Sequence, residues 1–225
     1  MEVGALLRRL ELKVSGDDGD RGWPLFEVGP SQWMVISGIG KANAAGATSW
    51  GIANQPEIRK VVNVGVAGCL SDEFALGDVI VGEESVFAEE GIYLREGWGG
   101  MSALGFDLAA EDWADGNRMR GSAELVDELC AVLFAGTNRG GRGVIATVDS
   151  CSGTYAWAKE VRARTGADAE AMEGAGVVLA ARRLGRAAAE VRVISNSCGE
   201  REQQEWDMKR AVKVIDSLLQ RMLGE

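Results

Sequence analysis

Residues 191–200 read VRVISNSCGE, an apolar run of Val191, Val193 and Ile194 that stops abruptly at Ser195-Asn196-Ser197, with Gly199 close behind. A short apolar run bounded by small polar residues and glycine has the form of a buried strand ending at a turn. The strand ends in a bare amide, Asn196, in place of an acid or a turn glycine.

The same punctuation repeats upstream. ADAEAM reads as a strand feeding a helix whose core face holds Val177, Ala180, Ala181 and Leu184. GVIATV is a strand and GTYAWAKEVRART a helix after a glycine. WMVIS (33–37) and VVNVGVAG (61–68) are further strands, GIGKANAAGATSWGIANQ a small-residue helix, and GDVIVG and SVFAEEG two separate strands. The stretch 93–120, rich in Gly, Trp and Asp and without periodicity, reads as a long loop. Ser122 starts a helix with Leu125, Leu129, Val132 and Leu133 on one face, and a last helix, 206–223, buries Val212, Ile215, Leu219 and Met222. Strands alternating with helices throughout predict one α/β domain, residues 1–225, with helices on both faces of a sheet.

Composition narrows the chemistry. The 225 residues are 46% hydrophobic, with 31 Gly and 3 Pro, ample for a sizeable core. Lys and Arg number 24 against 34 Asp and Glu, and a net charge of −10 argues against nucleic acid as a partner. No apolar run approaches the roughly 20 residues that span a bilayer, and the opening MEVGALLRRLELK lacks the apolar stretch of a signal peptide. The chain therefore reads as soluble and cytoplasmic, without a membrane partner. Cys69, Cys130, Cys151 and Cys198 lie far apart with no CxxC pair, and read as free thiols. Histidine is absent, which excludes His-based triads and imidazole bases. The remaining chemistry is that of carboxylates, amides, hydroxyls, thiols and backbone groups.

Two glycine turns and one acidic turn carry possible sites. SGIGK fails as a dinucleotide fingerprint, which needs glycine at Asn43, and as a P-loop, which needs one at Val35. VGVAG lets a backbone approach a ligand closely. In EAMEGAG, Glu173 stands where a strand hands over to a helix. There it is either a first-turn acid favoured by the helix dipole or a ligand-facing group.

Taken together, SGIGKANAAG, NVGVAGCLSDEFALGDVIVG, EAMEGAG and VRVISN resemble, in order and spacing, the nucleoside phosphorylase/nucleosidase superfamily. The pattern is most similar to the methylthioadenosine/S-adenosylhomocysteine nucleosidases and, closer still, to the futalosine hydrolases of menaquinone biosynthesis. This implies a three-layer α/β/α fold with a central mixed, largely parallel twisted sheet. It implies a small-molecule purine nucleoside as ligand, no metal or organic cofactor, and a homodimer or larger homo-oligomer. It also implies roles by position. Glu173 and Met172 grip the ribose; Val66, Ala67 and Gly68 line the sugar and the water site; Cys151 and Ser152 meet the base edge. Glu2 activates water, and Ser195 and Asn196 lie against the base, Asn196 where nucleosidases carry an aspartic acid that protonates N7 of adenine.

The amide at 196 then has a chemical reading. A 6-oxopurine presents two acceptors, N7 and O6, and an asparagine amide offers two N–H donors. Asn196 thus selects hypoxanthine or guanine nucleosides over adenine ones. No GDPxRA-like phosphate segment is present, and a carboxylate at Glu2 repels phosphate, so water is the expected nucleophile. The alternatives are a phosphorylase of inosine or guanosine, an adenine-type nucleosidase, and a non-catalytic nucleoside-binding relative. Because Glu2 stands at the very start, the superfamily's first strand is expected to be missing, and Met1 to be an internal methionine of a longer chain.

Overall fold

The apolar segments VVNVGVAGC and AAAEVRVISNS form two long strands that pair in parallel, and the fold is built around them. The computed structural model describes residues 22–136 and 138–224, and the described elements begin with β1 (Leu25–Gly29), β2 (Gln32–Val35), α1 (Lys41–Asn54) and β3 (Lys60–Cys69). There follow β4 (Val79–Phe87), β5 (Gly91–Leu94), β6 (Gly97–Gly100), α2 (Met101–Leu104), β7 (Ala114–Asp115) and β8 (Arg118–Arg120). The second half holds α3 (Ala123–Leu133), β9 (Gly140–Thr147), α4 (Tyr155–Thr165), β10 (Ala169–Ala171), α5 (Gly174–Arg183), β11 (Ala187–Ser197) and α6 (Met208–Leu223). The first strand expected to be missing, Glu2 and the Met1 expectation all fall outside the described residues.

The expected mixed sheet is present, and it curls further than the sequence suggested. β11 pairs in parallel with β3 from Ala187–Lys60 to Ser197–Cys69, and antiparallel with β4. β4 runs parallel to β9, β9 parallel to β10, and β10 returns antiparallel to β3. Those five strands close into a ring, and β8 and β7 extend from β4. Closure leaves the ring without a free edge.

Side chains divide by the two-residue period of a strand. On one face of β11, Ala189, Val191 and Val193 pack with Val79 and Val81 of β4 and with Leu125, Leu129 and Leu133 of α3. Ala211 and Leu218 of α6 complete that core. On the opposite face, Ala188 meets Ala175, Val178 and Ala181 of α5 and Ile52 of α1. Fully burying an aliphatic side chain of this size contributes roughly 1.5–3 kcal/mol. Among the described residues no helix is long and apolar enough to cross a membrane.

Several local expectations are corrected. Val79–Gly82 of GDVIVG and Ser85–Phe87 of SVFAEEG belong to one strand, β4, and an irregularity between Gly82 and Glu84 in the β4–β9 register absorbs what looked like a turn. The supposed loop 93–120 holds most of the hairpin β5–β6, all of α2, and strands β7 and β8. Long-range contacts order it. The Arg164 guanidinium lies 5.7 Å from the Tyr93 ring, 4.8 Å from Trp98 and 5.1 Å from Trp157. Asn117 donates to the carbonyls of Phe87 and Glu90 and accepts from Met101 N–H. Val132 and Leu184 are exposed; in α6 Ile215 and Met222 pack partly buried against the core as expected, while the fully buried positions are Ala211 and Leu218.

Candidate active site

Gly68 lies between two partners, Asn196 on β11 and Glu170 on β10. A Cβ here would stand 2.7 Å from the Cys198 sulfur and 3.1 Å from Asn196 Nδ2, so glycine lets the end of β11 close over β3. Asn196 is buried; its Oδ1 accepts from Ser195 Oγ at 2.9 Å and its Nδ2 donates to the Ser197 carbonyl at 3.0 Å. Among the described residues one of the two amide N–H groups is therefore used internally and one is open. Pairing with both acceptors of a 6-oxopurine requires the Ser197 bond to be exchanged for the ligand. Ser195 Oγ also lies 3.2 Å from the Ala67 carbonyl, and its single proton serves one acceptor at a time.

The segment after β9 is clamped to this strand end. Ser152 is buried, and its N–H and Oγ donate to the Glu170 carboxylate at 2.7 and 2.5 Å. Gln204 Nε2 donates to the Ser152 carbonyl at 2.8 Å and to the Gly199 carbonyl at 3.0 Å. Cys151 is exposed beside Ser152, and all four cysteines are free. Burial pushes the Cys198 thiol far above its ordinary range, and the Glu170 carboxylate adds to the effect. Although Cys151 is exposed as a residue, partial shielding of its thiol from water, then the charges of Glu170 and Glu173, raise it. These groups are thiols at neutral pH, poor nucleophiles and poor metal ligands. Among the described residues no cluster of three or more Cys, Asp or Glu is placed to hold a metal ion.

Glu173 occupies the turn from β10 into α5. Its Oε1 accepts from Gly40 N–H at 3.0 Å; its Oε2 accepts from Met172 N–H at 3.2 Å and faces Arg192 Nη2 at 3.1 Å. Among the described residues three of roughly four acceptor positions are filled, and the open one is on Oε1. Binding two ribose hydroxyls at once requires one of the present bonds to be shared or released. Arg192, nearly fully buried, also donates through Nη1 to the Val66 carbonyl at 3.3 Å and through Nη2 to Asn63 Oδ1.

Val66, Ala67 and Gly68 on β3 are thus joined to Ser195 and Asn196 on β11. Ser152, next to Cys151, is joined to Glu170 beside Gly68, and Glu173, next to Met172, to Arg192, while Glu2 lies outside the described residues. The sequence reading assigned no role to Arg192, Glu190, Glu170, Gly40 or Gln204. A signal existed for two of them: in AEVRV, charges at Glu190 and Arg192 alternate with apolar residues, and charges at that period in a buried strand must meet partners on the other face.

Residues 25–224 match the model of the Phosphorylase superfamily. The chain belongs to the phosphorylase superfamily. Among superfamily members it is similar to the futalosine hydrolase of Thermus thermophilus, 34% identical over 190 residues, 84% of this chain and 80% of that one. The superfamily fold is shared with the 5′-methylthioadenosine/S-adenosylhomocysteine nucleosidase of Neisseria meningitidis in complex with methylthio-immucillin-A. That similarity has a TM-score of 0.76 at 21% identity, over 99% of this chain and 94% of that one. A futalosine hydrolase mutant of Helicobacter pylori gives a TM-score of 0.73 at 20% identity, over 99% of this chain and 94% of that one.

Proposed function

We propose that this protein is a purine nucleosidase that cleaves futalosine with water, releasing hypoxanthine and dehypoxanthine futalosine within menaquinone biosynthesis. The observation that carries the reading is Asn196: a buried amide with an N–H open among the described residues, in register with Gly68 at the end of β11. Similarity to a futalosine hydrolase over most of both chains supports the substrate.

In the mechanism, the bond between the sugar C1′ and the base nitrogen breaks through an oxocarbenium-like transition state. Asn196 donates to the base as negative charge flows into it, the electrostatic stabilisation on which such sites depend. Ser152 and Cys151 meet the base edge from the clamped segment. Glu173 binds the ribose hydroxyls and supports the positive charge at C1′, with Met172 and the Val66-Ala67-Gly68 backbone against the sugar. Glu2 takes a proton from the attacking water, contributing about 10²–10⁴-fold. The released base anion takes its proton from solvent. The chain works as a cytoplasmic homodimer or larger homo-oligomer.

The test is chromatography of the bases released from futalosine, inosine, methylthioadenosine and adenosylhomocysteine, with and without phosphate. Hypoxanthine from futalosine without phosphate is expected. Strict phosphate dependence, with a sugar 1-phosphate as product, would overturn the reading.

A further inference from the structure

Glu190 has no solvent exposure, yet it stands in β11 between Ala189 and Val191, both in the apolar core. The strand's alternation sends it to the other face, against the first residue of α5. A Cβ on Gly174 would stand 1.8 Å from Glu190 Oε2, so only a glycine admits the carboxylate there. Ser85 Oγ donates to Oε2 at 2.5 Å and Arg192 Nε donates to Oε1 at 2.7 Å. A buried carboxylate persists only when paired and fully hydrogen-bonded, and for stability alone an apolar side chain of similar size serves as well or better.

What the carboxylate changes is the charge next to the ribose site. Arg192 lies between two acids, Glu190 through Nε at 2.7 Å and Glu173 through Nη2 at 3.1 Å. Glu173 and Arg192 alone would cancel, and a guanidinium at that distance opposes the support that Glu173 gives to a developing cation. The opposition is larger in a buried site than in water. With Glu190 included, two carboxylates and one guanidinium leave the trio at net negative charge.

We propose that Glu190 is a positioning residue of the ribose site. It holds Arg192 by Nε and balances its charge, so that Arg192 fixes the Glu173 carboxylate by hydrogen-bond direction without neutralising it. Arg192 is further aimed by the Val66 carbonyl and Asn63 Oδ1, and Ser85 holds the far oxygen of Glu190. The inference rests on the ribose-binding role proposed for Glu173.

The experiment compares wild type, Glu190→Gln and Glu173→Gln on futalosine. It also measures binding of two hypoxanthine nucleoside analogues, one with an uncharged sugar mimic and one whose mimic is a protonated pyrrolidine. Glu190→Gln keeps the volume and removes one charge. Its kcat is expected to fall about tenfold or more with KM little changed, and its preference for the cationic over the neutral analogue to fall by about the same factor. If Glu173→Gln leaves kcat unchanged, the ribose-site reading itself fails. If Glu173→Gln lowers kcat while Glu190→Gln leaves both kcat and the analogue preference intact, the inference is overturned. It is equally overturned if Glu190→Gln loses thermal stability and weakens both analogues in parallel, since that marks a merely structural role. Should Glu190→Gln not fold, the equal-volume pair Glu190→Asp and Glu190→Asn puts the same question. Asp is expected to retain the cation preference and Asn to lose it, and equal preferences in the two overturn the proposal.

Discussion

At the proposed ribose end of the site Glu173 accepts from two backbone N–H groups and faces Arg192, with one acceptor position open among the described residues. At the proposed base end Asn196 and Ser152 are neutral groups held in place by Ser195, Glu170 and Gln204, with one amide N–H open among the described residues. The two ends suit two different demands. A developing cation is stabilised by net negative charge held close to it, so the ribose end depends on the sum of nearby charge as well as on the position that Arg192 gives Glu173. A base edge is read by the direction and polarity of each hydrogen bond, so the base end needs a neutral group whose donors do not change with pH. Charge at one end and hydrogen-bond polarity at the other can therefore be altered separately.

The contrast is sharpest at Glu173. Glu173→Gln keeps the volume and one oxygen but removes the charge, and kcat is expected to fall by about 10²–10³-fold with the fold intact. Steady-state kinetics beside circular dichroism checks it; a variant within a few-fold of wild type would return Glu173 to the role of an acid at a helix start. Asn196→Asp should change selectivity more than rate. An ionised Asp faces two acceptors in hypoxanthine, whereas a protonated one pairs with N7 and the amino group of adenine. Leaving acceptors unpaired costs about 1–3 kcal/mol each, so the ratio of rates on 6-oxo and 6-amino nucleosides should shift by about tenfold or more. An unchanged ratio breaks the donor-counting argument for the base end.

The smallest effect on activity is expected at Glu170, which touches no ligand in this scheme. Glu170→Gln places an amide N–H₂ against the Ser152 donors, with a loss of about 1–3 kcal/mol of stability read in thermal or urea unfolding. KM should rise several-fold as the 151–153 segment loosens, with kcat nearly unchanged. A fall in kcat matching that of Glu173→Gln would show that the two ends are not separable.

Much of this arrangement was legible before any coordinates. Gly68, Glu173 and Asn196 are conspicuous because each is a small or polar residue where an apolar run stops, and the resemblance to the superfamily is what gave them roles. The remaining site residues Arg192, Glu190 and Glu170 sit inside strands, where the eye follows the apolar neighbours. The hairpin of β5 and β6 was missed for a related reason: Gly-rich, Trp-rich strands carry no alternation, and their order comes from Arg164 and Asn117, distant in sequence.

By itself the sequence determined the main alternation of strands and helices outside residues 77–120, the ends of β3 and β11, and the chemistry available without histidine. These are local properties, written in side-chain periodicity and in the glycines and amides at strand ends. Tertiary structure alone decided that β4 passes through Gly82 unbroken, that five strands close into a ring, and that one arginine stands between two acids. A period of two says which face a side chain takes, but not what waits across that face. The partners of Arg192 come from β3, β11 and the turn after β10, and only the closed sheet brings them within a hydrogen bond of one another.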